Sequence, residues 1–130
     1  EFNITFILTD IGSVEIIKFA KKMNIICFAG NPRNNKAMNF LMKKRISKPN
    51  ILFSINYKFL IEKDIIQFSN TITLNIHGSL LPKYRGRAPL IWAIINGETK
   101  TGITIHEIDE SCDTGEIVFQ EEVTIPTSAT

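Results

Sequence analysis

The chain has 130 residues, 44% of them hydrophobic and 22% charged, and its 15 Lys and Arg against 13 Asp and Glu leave a net charge of +2. This length fits one domain or part of one, the abundance of Ile, Leu and Phe excludes disorder as the main state, and the balanced charge carries no nucleic-acid argument by itself. No apolar run approaches the ~18 residues of a membrane span, and the densest basic cluster, Lys43, Lys44, Arg45 and Lys48, reads as the solvated face of a helix.

Residues 4–8, Ile-Thr-Phe-Ile-Leu, form a β-rich run closed by Asp10 and Gly12 and predict a strand. Ser13 is placed as a helix N-cap, and Val14, Ile16, Ile17, Phe19, Ala20 and Met23 follow at helical spacing. Residues 25–29 are a second short apolar strand, stopped by Gly30. Asn31-Pro32 then reads as a helix start, because proline at the first helical position loses no needed hydrogen bond. That helix is expected to run to about Ile46.

Pro49 resets the chain, and residues 51–55 predict a third strand, apolar on both faces as in a strand covered on both sides. Residues 64–68 suggest a short helix. Residues 71–77 alternate cleanly: Ile72, Leu74 and Ile76 point one way, and Thr73, Asn75 and His77 the other. Residues 89–95 read as a helix with Pro at its start and Gly97 past its end. Strands over 102–108 and 116–125 complete the order. Alternating strands and helices argue an α/β fold, its sheet mostly parallel with antiparallel strands at the C-terminal end, and with ligands at the carboxyl ends of the strands. Cys27 and Cys112 form neither a disulfide framework nor a C-x-x-C site, which points to a reduced, cytoplasmic compartment. The chain opens on Glu1 and closes on a loop-like run over 126–130, and is expected to be an excerpt of a longer protein.

The richest stretch runs from Asn75 to Pro89, Asn-Ile-His-Gly-Ser-Leu-Leu-Pro-Lys-Tyr-Arg-Gly-Arg-Ala-Pro. An apolar strand ends there with a carboxamide and an imidazole two positions apart, hence on one face. Taken singly, His77 reads as a hydrogen-bonded structural histidine and Asn75 as a strand-end cap. Together, at the end of a strand in an α/β pattern, they lie where such sheets bind ligands. A carboxylate, Asp113, follows in the turn-rich run Asp109-Glu110-Ser111-Cys112-Asp113-Thr114-Gly115, which alone would be turn chemistry. The two histidines, His77 and His106, lack metal-ligand spacing, so no metal is expected. His106 reads as a strand residue facing a cleft or solvent.

The combination Asn75-x-His77-x-Ser79-Leu80-Leu81-Pro82, Gly86, Thr101-Gly102-Ile103-Thr104 and Asp113-Thr114-Gly115 resembles the folate-dependent formyltransferase family, most strongly over 50–125. The resemblance implies a Rossmann-like fold that lacks the family's first β-α unit, whose strand is interior to the sheet. It also implies that residues 1–130 are a partial catalytic N-terminal domain without the C-terminal one. Asn75, His77 and Asp113 match the family's catalytic Asn, His and Asp. The implied reaction moves a formyl group from 10-formyltetrahydrofolate to a primary amine. Asn75 and His77 would stabilise the oxyanion, and Asp113 would orient the imidazole or relay the proton. Folate would be held by the loop carrying Tyr57, Phe59, Leu60, Ile61 and Ile66, and by Asp109, Glu110, Ser111 and Cys112, apolar side chains sandwiching the pterin. Singly, Phe59, Leu60 and Ile61 read equally well as core. The Leu81–Pro82 bond is expected to be cis, as in relatives.

The run Tyr84-Arg85-Gly86-Arg87-Ala88-Pro89-Leu90-Ile91-Trp92, with His106-Glu107-Ile108-Asp109, is most similar to enzymes that formylate a 4-amino sugar on UDP or dTDP. Arg85 and Arg87 could hold a diphosphate or be solvated loop charge. Methionyl-tRNA formyltransferase is the second reading, and a non-catalytic folate- or nucleotide-binding module the reading from another class. No membrane partner is expected, and a homodimer is left open.

Overall fold

The computed structural model describes residues 2–126. The expected loop over 127–130 lies outside the described residues. The strand and helix order is that read from the sequence: β1 (Phe6–Thr9), α1 (Val14–Lys22), β2 (Ile26–Ala29), α2 (Lys36–Lys43), β3 (Ile51–Ile55), α3 (Lys63–Ile66), β4 (Ile72–His77), α4 (Pro89–Ile95), β5 (Lys100–Glu107) and β6 (Ile117–Thr124). The chain divides into two compact units, residues 1–50 with 57–71, and residues 51–56 with 72–130.

In the first unit β1 and β2 pair in parallel, Phe6 opposite Ile26 and Thr9 opposite Ala29. Ala20 of α1, Ala37 and Leu41 of α2, Ile65 of α3 and Phe68 are its buried apolar residues. Aromatic pairs brace it, Phe6 with Phe68 at 6.1 Å and Phe28 with Phe40 at 5.4 Å between ring centroids. Helix α2 starts later than expected. Asn31 Oδ1 accepts from the Arg33 N–H, turning the chain after Pro32, and Asn34 and Asn35 adopt left-handed φ values of 59° and 57°. An Asx turn thus takes up the start signal, and the helix begins only at Lys36. Ser13 stands at the cap position of α1, but its hydroxyl donates to Asp10 Oδ2 instead of accepting from the helix.

In the second unit the sheet order is β3-β4-β5-β6. Strands β3 and β4 are parallel, and β4–β5 and β5–β6 are antiparallel. Among the described residues β1 and β3 each pair along one edge only. The expectation that β3 is covered on both faces does not hold. Leu52 and Ser54 are buried, whereas Ile51, Phe53 and Ile55 are exposed. Strand β4 does alternate as predicted, but its polar face is not a solvent face. Thr73 and His77 are buried, and on β5 the buried residues are Gly102, Thr104 and His106, with Ile103 turned outward.

Loop 79–86 makes much of that burial. The Thr104 hydroxyl donates to the Ser79 carbonyl (2.6 Å) and accepts from the Leu81 N–H (3.1 Å). The Gln120 amide donates to the Leu81 carbonyl and to Thr104 Oγ1. The Leu81–Pro82 bond is cis. A polar face is tolerated inside because each of these groups has a partner.

Candidate active site

The antiparallel register puts Asn75 opposite His106 and His77 opposite Thr104, so Asn75, His77, Thr104 and His106 share one face. The turn after β5 brings Asp113 to that face. Asp113 is held with a left-handed φ of 53°, a conformation Asp tolerates better than most residues. Its Oδ2 accepts from the Gly86 N–H at 2.8 Å, its backbone carbonyl accepts from Arg85 Nε at 3.1 Å, and its Oδ1 accepts from Asn75 Nδ2 at 3.3 Å. The three residues matched to the catalytic set therefore meet within one unit.

Two imidazoles flank this carboxylate. His77 Nδ1 lies 3.6 Å from Asp113 Oδ2, and His106 Nε2 lies 3.4 Å from Oδ1. Their far nitrogens are both fixed by backbone carbonyls. His77 Nε2 is 2.8 Å from the Tyr84 oxygen, and His106 Nδ1 is 2.7 Å from the Glu107 oxygen. A carbonyl only accepts, so each of those nitrogens carries a hydrogen. The nitrogens that face Asp113 are the ones left to meet the carboxylate and, for His106, the Asn75 amide. The carbonyl of Tyr84 is aimed by a left-handed φ of 56°, and its hydroxyl is tied to Glu98 at 2.9 Å. That bond, with Lys83 beside it, holds the Glu98 carboxyl below its ordinary range.

His106 was missed as a functional candidate. It is buried, not solvent-facing, and touches both Asn75 and Asp113. The alternation of β5 places it on the inner face, but only the β4–β5 register, set across residues 78–99, shows what it meets.

The residues matched to folate binding divide between the units. In the first, Tyr57, Phe59, Ile61 and Ile66 are half-buried and Leu60 is exposed. The rings of Tyr57 and Phe59 meet edge to face at 5.6 Å. Lys58 pairs with Asp10 at 2.7 Å, and that bond, with the Ser13 hydroxyl, holds Asp10 at about 2. Among the described residues the buried Tyr57 hydroxyl has no hydrogen-bond partner, and burial, with the Asp10 charge second, pushes it up to about 12. In the second unit Asp109 ties its own loop. It accepts from the Thr114 hydroxyl at 2.7 Å and the Ser111 N–H at 2.9 Å, which lowers its carboxyl. Glu110, Ser111 and Cys112 are exposed, and desolvation, then Asp113, raises the Cys112 thiol. Among the described residues no group of three His, Cys, Asp or Glu side chains is arranged to hold a metal ion.

The formyl transferase family matches residues 15–130. Among solved structures, phosphoribosylglycinamide formyltransferase from Bacillus halodurans is 28% identical with a TM-score of 0.80, the match covering 96% of this chain and 68% of that one. The formyltransferase PseJ from Anoxybacillus kamchatkensis, solved with UDP-4,6-dideoxy-4-formamido-L-AltNAc and tetrahydrofolate, is 26% identical with a TM-score of 0.62, covering 93% of this chain and 61% of that one. A formyltetrahydrofolate deformylase from Pseudomonas syringae shares the fold at 17% identity and a TM-score of 0.78, covering 97% of this chain and 43% of that one. With its family matched over most of its length, the chain belongs to the formyl transferase family and is a 10-formyltetrahydrofolate-dependent formyltransferase.

Proposed function

We propose that Asn75, His77 and Asp113 transfer the formyl group to a primary amine carried on a phosphorylated sugar, first of all the 4-amino group of a UDP- or dTDP-linked amino sugar. The observation that carries the reading is the convergence of a carboxamide and an imidazole on one carboxylate, the imidazole held by the Tyr84 carbonyl and the carboxylate by the Gly86 N–H. The folate donor supplies the formyl carbon. The amine nitrogen forms a bond to that carbon, the bond to the folate nitrogen breaks, and the proton the amine loses must reach the departing nitrogen. His77 Nδ1 and Asp113 Oδ2 are the pair that can hold and pass that proton. Asn75 has two amide hydrogens, one toward His106 and one toward Asp113 Oδ1. The second bond is long at 3.3 Å, and it weakens once Asp113 takes up the proton, because a neutral carboxyl is a poorer acceptor than a carboxylate. That hydrogen is then free to turn to the formyl oxygen as negative charge builds there.

Arg85, anchored through Nε, keeps its two terminal nitrogens for a phosphate, and Arg87 lies two residues on. Both a sugar nucleotide and a ribonucleotide present that group. The likeness to the Bacillus halodurans enzyme favours glycinamide ribonucleotide as the second reading.

The test is turnover of the full-length protein with 10-formyltetrahydrofolate and UDP- or dTDP-4-amino sugars, glycinamide ribonucleotide, or methionyl-tRNA. Formyl transfer to the amino sugars supports the first reading, and transfer only to the ribonucleotide or only to the tRNA replaces it. Folate binding with no transfer to any amine leaves a binding module. Asn75→Ala, His77→Ala and Asp113→Ala are each expected to lower kcat by ~10²–10³ with unchanged circular dichroism. Wild-type turnover in one of them removes that residue from the mechanism.

A further inference from the structure

We propose that His106 is a positioning residue for this reaction: in its neutral form it anchors the Asn75 carboxamide, so that one amide hydrogen stays fixed while the other moves between Asp113 and substrate. The proposal rests on the formyl-transfer reading of the same site. His106 is 2% exposed, among the most fully buried side chains of the protein. Its Nδ1 hydrogen is committed to the Glu107 carbonyl at 2.7 Å, so in the neutral ring Nε2 is a lone pair. Nε2 lies 3.2 Å from Asn75 Nδ2 and 3.4 Å from Asp113 Oδ1, while Nδ2 lies 3.3 Å from that same oxygen.

One arrangement of hydrogens satisfies this triangle. The Asn75 amino group gives one hydrogen to Nε2 and the other to Oδ1, filling the space between two acceptors. A cationic His106 would instead aim an N–H at the Asn75 amino group, donor against donor at 3.2 Å. The short approach of His106 to Asp113 is therefore an amide bridge and not an ion pair. The two histidines divide the work: His77 exchanges a proton with Asp113, and His106 keeps the neutral Nδ1–H tautomer and fixes the carboxamide plane. An acceptor at Nε2 also decides which end of the carboxamide faces the carboxylate, a choice Asn75 cannot make from its own strand.

Two measurements on the full-length protein test this. Proton–nitrogen NMR of the imidazoles, assigned through His106→Gln and His77→Gln, is expected to show opposite tautomers, hydrogen on Nδ1 in His106 and on Nε2 in His77. In kinetics, His106→Leu is expected to lower kcat by about 10- to 10²-fold, less than removal of an oxyanion donor, with KM for the formyl donor changed by less than about threefold. His106→Gln, which restores an acceptor, is expected to recover most of that loss, and the Asn75 side-chain amide signals are expected to move in the Leu variant and return in the Gln variant. An Nε2–H tautomer in wild-type His106, or a Leu variant with unchanged kcat and unchanged Asn75 signals, overturns the proposal. Should the Leu variant not fold, the wild-type tautomer and the Gln variant decide. If wild-type protein transfers formyl to no amine while the tautomer and amide signals are as expected, the transfer reading fails and the anchoring of Asn75 stands.

Discussion

Asp10 and Asp113 are both carboxylates just past a strand, and their surroundings give them different tasks. Asp113 is 14% exposed and meets the Gly86 N–H, the Asn75 amide and two imidazoles at its carboxylate. Asp10 faces a full positive charge, Lys58 Nζ at 2.7 Å, together with the Ser13 hydroxyl and the Gly12 N–H, and is held at about 2. Its folded value is depressed from 3.8, so its contribution to stability is fully present above 3.8 and is lost as pH falls towards about 2. Wild-type melting temperature is therefore expected to drop through that window more steeply than that of Asp10→Asn, whose amide does not titrate. Parallel melting curves for the two proteins between about pH 4 and pH 2 would show that the Lys58 pair does not couple to folding. The Lys58–Asp10 pair could not be read from the sequence, since nothing over the stretch between the two residues gave a reason to bring them together. Asn75 and His77 could, because they share a strand face, whereas Asp113 joined them through the family resemblance, its run alone reading as turn chemistry.

At the scale of elements, the β5–β6 connection decides where Asp113 points. Gly115 lies against the Glu107 backbone, and a Cβ there would run into the Glu107 carbonyl oxygen and carbon. The Glu107 N–H also takes the Glu116 carbonyl at 2.9 Å, so the chain closes tightly around this glycine. The same Glu107 carbonyl fixes His106. Gly115→Ala is expected to cost at least the ~1–3 kcal/mol of an overpacked site and to lower turnover beyond that loss, because the displaced carbonyl holds His106. A denaturation midpoint within error of wild type would mean the loop has slack the close approach denies. Such close packing leaves no trace in a sequence, where Asp113-Thr114-Gly115 reads as an ordinary turn. Strand and helix identities were legible because apolar periodicity is local: β4 and α4 were placed to within a residue. The start of α2 was misplaced because Asn31-Pro32 is both a helix start and a turn, and the Asn31 side chain chose the turn. The apolar run of β3 showed a strand but not its cover, since burial on a second face depends on neighbours that the run itself does not specify.

On the scale of the whole molecule, the two units differ in how their backbones are secured. Strands β4 and β5 are hydrogen-bonded along both edges, within a four-stranded sheet, and loop 79–86 is tied to them through Thr104 and Gln120. Among the described residues strands β1 and β2 pair only with each other, over four residue pairs. A two-stranded sheet is marginal without packing to support it, and here the support is α1, with Ala20 buried and Val14, Ile16 and Phe19 exposed, together with the ring pairs Phe6–Phe68 and Phe28–Phe40. Opening β1–β2 therefore breaks one short ladder of mostly half-buried residues, whereas releasing β4 or β5 breaks two ladders and uncovers buried residues such as Thr73, Thr104 and His106. Local opening free energies follow such differences. Amide exchange over residues 2–126 is expected to be slowest in β4 and β5 and faster in β1 and β2, with β3 between them because only one of its edges is paired. Equal protection in both sheets would show that β1 and β2 open only when the whole chain does. The gradient suits the chemistry, because Asn75 and His106 stand on the two strands expected to open last.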